Sequence, residues 1–345
     1  MRYGSHPQIQ ATGPAPGPKI LHRQKRCEHQ RFQKGLSSAQ ESREGIGHYV
    51  LPHGQSYLCL VEYHLLTPRW EAYRLLDFGE GYRWEKWGPH TVIRPDGWAV
   101  GPVQVARSHW RARHVYHPTG PYQGQWEPPL PEKWPLTYRG VGWRLQLWAR
   151  SGKFKHLGFF PEQAAHWEWL YAWLRKHPQA RVLNLFAYTG GASVVAALAG
   201  AQVTHVDASR SAITWAAENA QLNGLSTIRW LVEDARRFVQ RTLRRGERYE
   251  AILLDPPPFG TGPEHRRWVL EEDLPALLAQ LRSLLPSDQG LFLLNVYSGA
   301  FSPLTLRRLV RELIDPPAVE EIGELALASE TGRYLSTGLF VRFIY

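Results

Sequence analysis

The chain has 345 residues, a formal net charge of +10 and a pI of about 9.7. Its 43% hydrophobic content is ample for a core, and its length allows two domains, one of them a complete α/β sheet. Two cysteines, Cys27 and Cys59, give neither a disulfide framework nor metal-site spacing, so we expect a reducing cytoplasm and no metal. No apolar run reaches the roughly 18–20 residues of a membrane span, and the N-terminus lacks the apolar core of a signal peptide.

The positive net charge predicts a polyanionic partner, with nucleic acid as the first candidate. The alternative is that the charge serves only to keep the protein soluble. Half of the excess lies in residues 1–45, which carry eight Lys/Arg and three Asp/Glu, a net +5. That segment is rich in Gly, Pro and Gln, so we predict a disordered basic tail. A second basic run, SHWRARHVYH with Arg111 and Arg113, suggests either an RNA contact or a solvated hairpin.

A small β-rich domain is predicted over residues 46–155. Twelve of the 15 tryptophans fall between residues 70 and 173, and Gly and Pro recur every few residues. The stretches EAYRLLDFGEGYRWEKWG and WPLTYRGVGWRLQLW each predict a hairpin with two glycines near the turn. We expect the aromatic side chains to fill a small core and brace the larger domain, with base stacking as the alternative.

Strands and helices alternate over residues 156–345. The predicted strands are RVLNLFAY, QVTHVDAS, TIRWLVED, YEAILLD and GLFLLNVYS, followed by the antiparallel pair VEEIGELALAS and STGLFVRFIY. Between them, SRSAITWAAENAQLNGL predicts a helix with Ser209 as its N-cap and Gly224 just past its end. This alternation predicts an α/β fold, a Rossmann-like parallel sheet with helices on both faces.

The turn after the first of these strands, VLNLFAYTGG, is the first candidate for ligand binding, because ligands sit at the carboxyl ends of such strands. It lacks the G-x-G-x-x-G pattern that brings backbone up to a pyrophosphate. Gly190 and Gly191 would instead let the chain pass close under an adenosine and an amino-acid tail. An ordinary tight strand–helix turn is the alternative.

Carboxylates end the next two strands. Asp207 lies 17 residues after Gly190, where an acid accepts hydrogen bonds from both ribose hydroxyls of NAD or of S-adenosylmethionine. Asp234, after the third strand, is placed to accept from an adenine amino group. Each of the two aspartates has an alternative role as a helix N-cap.

The stretch DPPPFG ends the fourth strand. Its prolines cannot continue a strand, and they hold carbonyl groups outward beside Asp255. An amino or ring N–H group of a flat base would be bound by Asp255 and the carbonyl of Pro256 or Pro257. Phe259 is placed to stack on the face of that base. A rigid loop without a binding role is the alternative.

Together these stretches resemble the class I S-adenosylmethionine-dependent methyltransferases, and most closely the branch of bacterial large-subunit ribosomal RNA methyltransferase I. The residues that carry the resemblance are GFFPEQAAHW, VLNLFAYTGG, HVDAS, VEDA, DPPPFG and NVYSG. It covers about residues 155–345, and it implies a seven-stranded methyltransferase sheet, S-adenosylmethionine as cofactor and ribosomal RNA as partner.

The resemblance also implies roles for individual residues. The methionine and adenosine of the cofactor would be lined by Phe186, Tyr188, Gly190 and Ala192, with Gln163 over the pocket. Asp207 would hold the ribose and Asp234 the adenine. The methyl acceptor would face Asp255, Pro256 and Phe259.

Two positions depart from the family pattern. Asn184 stands where many class I enzymes have an acid; it can still accept from the methionine amino group. Tyr297 stands in NVYSG where relatives that methylate C5 of a pyrimidine have a cysteine nucleophile, which that carbon requires. We therefore predict transfer to a nitrogen, or to an oxygen, rather than to C5 of cytosine or uracil.

Other functions remain open at this point. The acceptor is alternatively a protein side chain or a small molecule, because DPPPFG fits any planar amino or amide group. A non-catalytic RNA-binding protein with a relic cofactor pocket is a further alternative, in view of Asn184 and Tyr297. A nicotinamide-dependent oxidoreductase is disfavoured, because G-x-G-x-x-G is missing and DPPPFG is present.

Overall fold

The computed structural model describes residues 47–50, 56–59, 63–120, 123–262, 266–286, 289–297, 299–316 and 320–345. By internal contacts the chain divides into Met1–Glu44 and Gly45–Tyr345, and every described residue belongs to the second unit. The predicted disordered tail over residues 1–45 lies outside the described residues.

The strands are β1 (Gly47–Val50), β2 (Ser56–Cys59), β3 (Tyr63–Leu66), β4 (Tyr73–Gly79), β5 (Tyr82–Trp87), β6 (His90–Pro95), β7 (His114–Pro118), β8 (Gly124–Glu127), β9 (Lys133–Gly140), β10 (Trp143–Arg150), β11 (Arg181–Leu185), β12 (Gln202–Asp207), β13 (Arg229–Val232), β14 (Ala251–Leu254), β15 (Phe259–Thr261), β16 (Arg267–Val269), β17 (Leu291–Val296), β18 (Glu321–Ala328) and β19 (Tyr334–Ile344). The α-helices are α1 (Ala164–Leu174), α2 (Gly191–Leu198), α3 (Arg210–Leu222), α4 (Ala235–Arg244), α5 (Leu270–Leu281) and α6 (Pro303–Ile314). Strand and helix alternate from β11 onward, as the sequence predicts.

The largest sheet has eight strands in the order β13-β12-β11-β14-β17-β19-β18-β3. The first five are parallel, and β19 pairs antiparallel with both β17 and β18. The predicted seven strands are therefore all present, and the antiparallel final pair is confirmed. The eighth strand, β3, comes from the N-terminal part of the chain and pairs parallel with β18 at the sheet edge.

The N-terminal part forms a five-stranded sheet, β4-β5-β6-β7-β8, and a separate β9–β10 hairpin. Both predicted hairpins are present. In the β4–β5 turn, Glu80 and Gly81 adopt the left-handed backbone conformation, with φ of 52° and 79°. At Gly81 this conformation carries no strain, because glycine has no Cβ atom. The hairpin β9–β10 is fixed to α3, because Asn223 donates to and accepts from the backbone of Gln146 at 2.7 and 2.9 Å.

Aromatic side chains fill the interior between these two parts, as predicted. Trp87 is fully buried, and Trp70 packs against Tyr138 at 5.4 Å and Trp167 of α1 at 5.8 Å between ring centroids. Trp70 also stacks on Phe159 at 5.2 Å. One continuous cluster of buried side chains therefore joins the N-terminal strands to the α1–α2 side of the large sheet.

The local predictions for the helices also hold. Ser209 caps α3 by accepting from the backbone N–H of Ala212, and Gly224 adopts a φ of 71° after the helix ends. The apolar face of α5 is buried; it consists of Leu274, Leu277, Leu278 and Leu281, continued by Leu285. Among the described residues, no helix is long and apolar enough to cross a membrane, and no cluster of His, Cys, Asp and Glu has metal-site geometry.

Candidate active site

Two cavities that share lining residues lie at the carboxyl ends of the parallel strands. The larger has a volume of about 610 Å³, and the smaller, of about 60 Å³, lies against the turn after β11. Phe186, Tyr188 and Asp255 line both of them. The strand ends that the sequence singled out are therefore brought together at one site.

The turn after β11 adopts a strained backbone. Phe186 and Tyr188 have φ of 55° and 49°, values that side chains other than glycine rarely adopt, and Gly190 has a φ of 82°. A Cβ atom on Gly190 would lie 2.9 Å from the Cβ of Ala216, so only glycine fits there. The turn and Ala192 line the smaller cavity, where the backbone leaves room for a close-lying ligand.

Asp207 lies at the end of β12 and lines the larger cavity. Its carboxylate accepts from the backbone N–H groups of Tyr188 and Ser209, each at 2.8 Å. Burial raises the pKa of Asp207, while these two hydrogen bonds oppose the rise. The carboxylate is thus held in one orientation at the cavity wall, where the prediction of a ribose contact requires it.

Asp234 has the alternative role of a helix N-cap, and it also lies at the cavity. It caps α4 by accepting from the backbone N–H of Arg236 and Arg237, and it also lines the larger cavity. The Arg236 guanidinium lies 2.8 Å from its second oxygen. Burial alone would raise the pKa of Asp234, but the hydrogen bonds and charge of Arg236 bring it below its usual range.

Asn184 is buried beneath the smaller cavity. Its Nδ2 donates to Ser193 Oγ at 2.9 Å, and that hydroxyl is 2.9 Å from Nδ1 of His205. Burial lowers the pKa of His205 to about 3, so the imidazole is neutral and accepts the hydroxyl proton. These hydrogen bonds hold the Asn184 amide with its nitrogen toward Ser193. The amide oxygen is left available to accept a hydrogen bond from an amino group.

Asp255 lies where the two cavities meet. Gln163 Nε2 donates to Asp255 Oδ2 at 3.1 Å and to the Tyr297 hydroxyl at 2.7 Å. The other oxygen, Asp255 Oδ1, is buried and has no hydrogen-bond partner in the described part of the chain. Burial, together with the nearby charge of Glu162, raises the pKa of Asp255 to about 7. Gln163, predicted to lie over the cofactor pocket, lines the smaller cavity and also orients Asp255.

The orientation of the Gln163 amide is set by a chain of hydrogen bonds from the sheet. Arg342 donates to His166 Nδ1 at 3.3 Å, so the proton of the neutral imidazole is on Nε2. That nitrogen is 2.9 Å from Asn295 Oδ1, and Asn295 Nδ2 donates to Gln163 Oε1 at 3.0 Å. Because Arg342 can only donate, each later group has one possible direction, and the Gln163 nitrogen must face Asp255.

The loop DPPPFG differs in part from its prediction. Pro256 is buried and lines the larger cavity, but the carbonyl of Pro257 already accepts from Trp268 Nε1 at 2.8 Å. Of the two carbonyl groups predicted to bind an N–H group of the base, that of Pro256 therefore remains the candidate. Phe259 does not line the cavities; its side chain is 68% exposed, on β15. Trp268, which was not predicted, lines the larger cavity instead, with its ring centroid 4.7 Å from that of Phe186.

The N-terminal part supplies a charged wall that the sequence analysis did not find. Arg83, Arg94, Asp96 and Trp98 line the larger cavity together with Lys155. Arg83 pairs with Asp96, and Arg94 binds the fully buried Glu85 through two hydrogen bonds of 2.5 and 2.9 Å. The pattern of tryptophans and turns indicated a β-rich unit, but gave no signal that strands β5 and β6 face the site.

Comparison with known proteins identifies the family. Residues 96–322 match the family described as S-adenosylmethionine-dependent methyltransferase. A solved S-adenosylmethionine-dependent methyltransferase from Agrobacterium tumefaciens is 39% identical with a TM-score of 0.75, over 81% of this chain and 93% of that one. The chain therefore belongs to the S-adenosylmethionine-dependent methyltransferase family, and the predicted family, fold class and cofactor are confirmed.

Curated relatives match shorter stretches. Ribosomal RNA large subunit methyltransferase K/L of Shewanella frigidimarina is 39% identical over 118 residues, 33% of this chain and 16% of that protein. Ribosomal RNA large subunit methyltransferase I of Aeromonas salmonicida is 42% identical over 82 residues, 23% of this chain and 21% of that protein. The chain thus spans about a sixth to a fifth of the length of these curated relatives.

Proposed function

We propose that this chain transfers a methyl group from S-adenosylmethionine to a nitrogen on a base of ribosomal RNA. The observation that carries the proposal is Asp255, a carboxylate with a buried, unpartnered oxygen at the meeting point of the two cavities. The names of the curated relatives and the net charge of +10 support RNA as the acceptor. An RNA acceptor also agrees with the cytoplasmic location expected from the two cysteines.

The residues around the smaller cavity and the adjoining strand ends fit the cofactor. The Asn184 oxygen would accept from the amino group of its methionine part, and Asp207 would accept from the ribose hydroxyls. Asp234 would contact the adenine with whichever lone pairs Arg236 leaves available. The positive-φ turn from Phe186 to Gly190 brings backbone, rather than side chains, against this ligand.

When bound, S-adenosylmethionine supplies a methyl group on a sulfonium, a donor reactive enough for direct transfer. The C–N bond forms as the C–S bond breaks, and the electron pair of the broken bond stays on sulfur. The acceptor nitrogen loses one proton, which Asp255 takes up, and its pKa of about 7 suits that exchange near neutral pH. Orientation of the acceptor by Asp255 and Pro256 contributes the proximity effect.

Nitrogen is the proposed acceptor atom because the cavities offer no thiol nucleophile. Within the described ranges, no cysteine lines either cavity, and Tyr297 occupies the position where the C5 branch has one. Tyr297 accepts from Gln163, which leaves its own hydroxyl proton for an acceptor atom of the ligand. Burial, with the charges of Asp255 and Glu162, holds the pKa of Tyr297 well above its usual value, so this hydroxyl stays protonated.

The experiment is to incubate the purified chain with tritium-methyl S-adenosylmethionine and an extract of cells that lack its gene. One half is then treated with ribonuclease and the other with protease. We expect label that only ribonuclease removes, and much less label with Asp255→Asn. Label removed only by protease would make the acceptor a protein. No label in either polymer, despite measurable cofactor binding, would contradict the proposal in favour of a small molecule or a relic pocket.

A further inference from the structure

A second carboxylate in the same region, that of Glu162, is also buried with one oxygen that lacks a hydrogen-bond partner in the described part of the chain. It lies in the turn Pro161–Gln163 that precedes α1, is 2% exposed and lines the larger cavity. Its Oε2 atom has no hydrogen-bond partner among the described residues. An isolated buried carboxylate oxygen costs free energy, so a fold that retains one requires an explanation.

Glu162 lies close to the groups already placed at the acceptor end. Glu162, Asp255 and Tyr297 all line the larger cavity, and the charge of Glu162 raises the pKa of the other two groups. The neighbouring residue, Gln163, holds those same two side chains by hydrogen bonds. Three oxygen-bearing side chains, those of Glu162 in the turn before α1, Asp255 just after β14 and Tyr297 just after β17, therefore line the same cavity.

An ion pair does not account for Glu162. Arg83 is the cation that lowers the pKa of Glu162 most, but its guanidinium pairs with Asp96, and no described salt bridge of 4.0 Å or less reaches Glu162. Burial accordingly outweighs Arg83 and raises the pKa of Glu162. Glu85 shows the structural alternative: it is equally buried, but Arg94 binds both of its oxygens.

We propose that Glu162 is a second acceptor-binding carboxylate, which accepts one N–H of the methyl acceptor while Asp255 accepts another. The inference rests on the proposed function and narrows its substrate to bases that carry an amino group. Two carboxylate oxygens without donors fit a base edge with two N–H bonds. A uracil edge would instead place carbonyl oxygens against carboxylates, and this repulsion excludes it.

The test compares Glu162→Gln and Glu162→Asp with the parent, using RNA extracted from cells that lack the gene and tritium-methyl S-adenosylmethionine. We expect kcat/KM for Glu162→Gln to fall about 10- to 100-fold, the effect of losing a hydrogen bond to a charged group. Glu162→Asp keeps the carboxylate and should lose less. Cofactor Kd, measured by calorimetry, should stay unchanged in both variants. Glu168→Gln, a carboxylate that binds Tyr138 and Trp143 away from the cavities, serves as the matched control.

Two further readouts separate binding from a structural role. Without the negative charge of Glu162, the pKa of Asp255 falls, so the acidic limb of the kcat/KM profile of Glu162→Gln should move to lower pH. Because Oε2 has no partner, Glu162→Gln should keep or raise the Tm at pH 8, although its activity falls. An unshifted pH profile, or a loss of activity that only follows a loss of Tm, would overturn the proposal.

The identity of the labelled nucleoside decides the specificity. After digestion to nucleosides, label in adenosine, guanosine or cytidine derivatives is expected, and label in a uridine derivative would overturn the inference. Equal labelling by parent and Glu162→Gln would overturn it while leaving the proposed function intact. If the parent labels protein in the whole extract, the RNA acceptor and this inference both fail. If the parent labels neither RNA nor protein, the RNA acceptor and this inference also both fail.

Discussion

The proposed cofactor end and the proposed acceptor end of the larger cavity are built in different ways. At the cofactor end, both carboxylate oxygens of Asp207 and both of Asp234 accept hydrogen bonds from backbone N–H groups or from Arg236. At the acceptor end, Asp255 and Glu162 each keep a buried oxygen that has no hydrogen-bond partner among the described residues. Groups that are satisfied within the protein hold a shape, whereas unsatisfied groups lower stability until a ligand supplies the donors.

This difference gives opposite expectations for stability at the two ends. Removing a carboxylate at the cofactor end breaks existing hydrogen bonds, so stability and ligand affinity should fall together. Removing a charge at the acceptor end relieves an unpaired buried group, so stability should rise while activity falls. Each prediction below tests one side of this contrast.

The largest effect is expected at Asp255. Asp255→Asn removes the proton acceptor but keeps the shape, so methyl transfer to the RNA of gene-deficient cells should fall about 10²- to 10⁴-fold. Cofactor Kd by calorimetry should change by less than about twofold, because Asn184 and Asp207 are left intact. Phe259→Ala is the control on the same loop: its ring is exposed, and we expect a small change. Parent-like transfer by Asp255→Asn would contradict the role of proton acceptor.

The next effect is expected at Asp207. Asp207→Ala should weaken cofactor binding about 10- to 100-fold, because a charged acceptor for the ribose is lost. Its Tm should fall as well, since the backbone N–H groups of Tyr188 and Ser209 lose their acceptor. Asp234→Asn is the comparison: the loss of affinity should be smaller, because Arg236 already occupies much of that carboxylate. An unchanged cofactor Kd in Asp207→Ala would remove Asp207 from the cofactor site.

What the sequence predicted divides differently, between the parallel sheet and the N-terminal part. Asp207, Asp234 and Asp255 were predicted because each ends a recognisable strand, and parallel strands bring their carboxyl ends to one edge. Arg83 and Arg94 were not predicted, because their place at the cavity depends on how the N-terminal strands pack against α1. Contacts such as that of Trp70 with Trp167, 97 residues apart, leave no local pattern in the sequence.

The loop after Asp255 shows a finer limit. The sequence indicated an aromatic ring beside the prolines, and the nearest one along the chain is Phe259. The short β15–β16 hairpin instead turns Phe259 outward and brings Trp268 to the carbonyl of Pro257. Glu162 likewise stands inside the recognised stretch GFFPEQ, but only the fold reveals that it is buried without a partner.

The pH dependence of stability tests the acceptor end. The pKa of Asp255 is about 7 in the folded chain and about 3.9 for an unperturbed aspartate, so the unfolded chain releases this proton first as pH rises. Stability from this group is therefore present below about pH 4 and is lost as pH rises through 7. Asp255→Asn should accordingly have a higher Tm than the parent at pH 8, and the difference should vanish below about pH 4. A Tm difference independent of pH would mean that Asp255 carries no ionisation penalty.

The smallest effect is expected at the exposed basic run of the N-terminal part. If Arg111 and Arg113 contact RNA phosphates, replacing both by alanine should weaken RNA binding and reduce the slope of log Kobs against log salt by about 0.7 for each lost contact with single-stranded RNA. Cofactor Kd should not change, because neither residue lines a cavity.

The matched control replaces Arg175 and Lys176, two exposed cations just after α1. The chain leads from the end of α1 to the start of β11, whereas the cavities lie at the carboxyl ends of the strands. The same loss of charge at Arg175 and Lys176 should therefore leave the slope unchanged. Equal slopes for the parent and the Arg111/Arg113 variant would show that this run, which leads into β7 and is not a hairpin, is only solvated. Equal reductions in both variants would assign RNA binding to overall charge, so that the acceptor end alone would select the substrate.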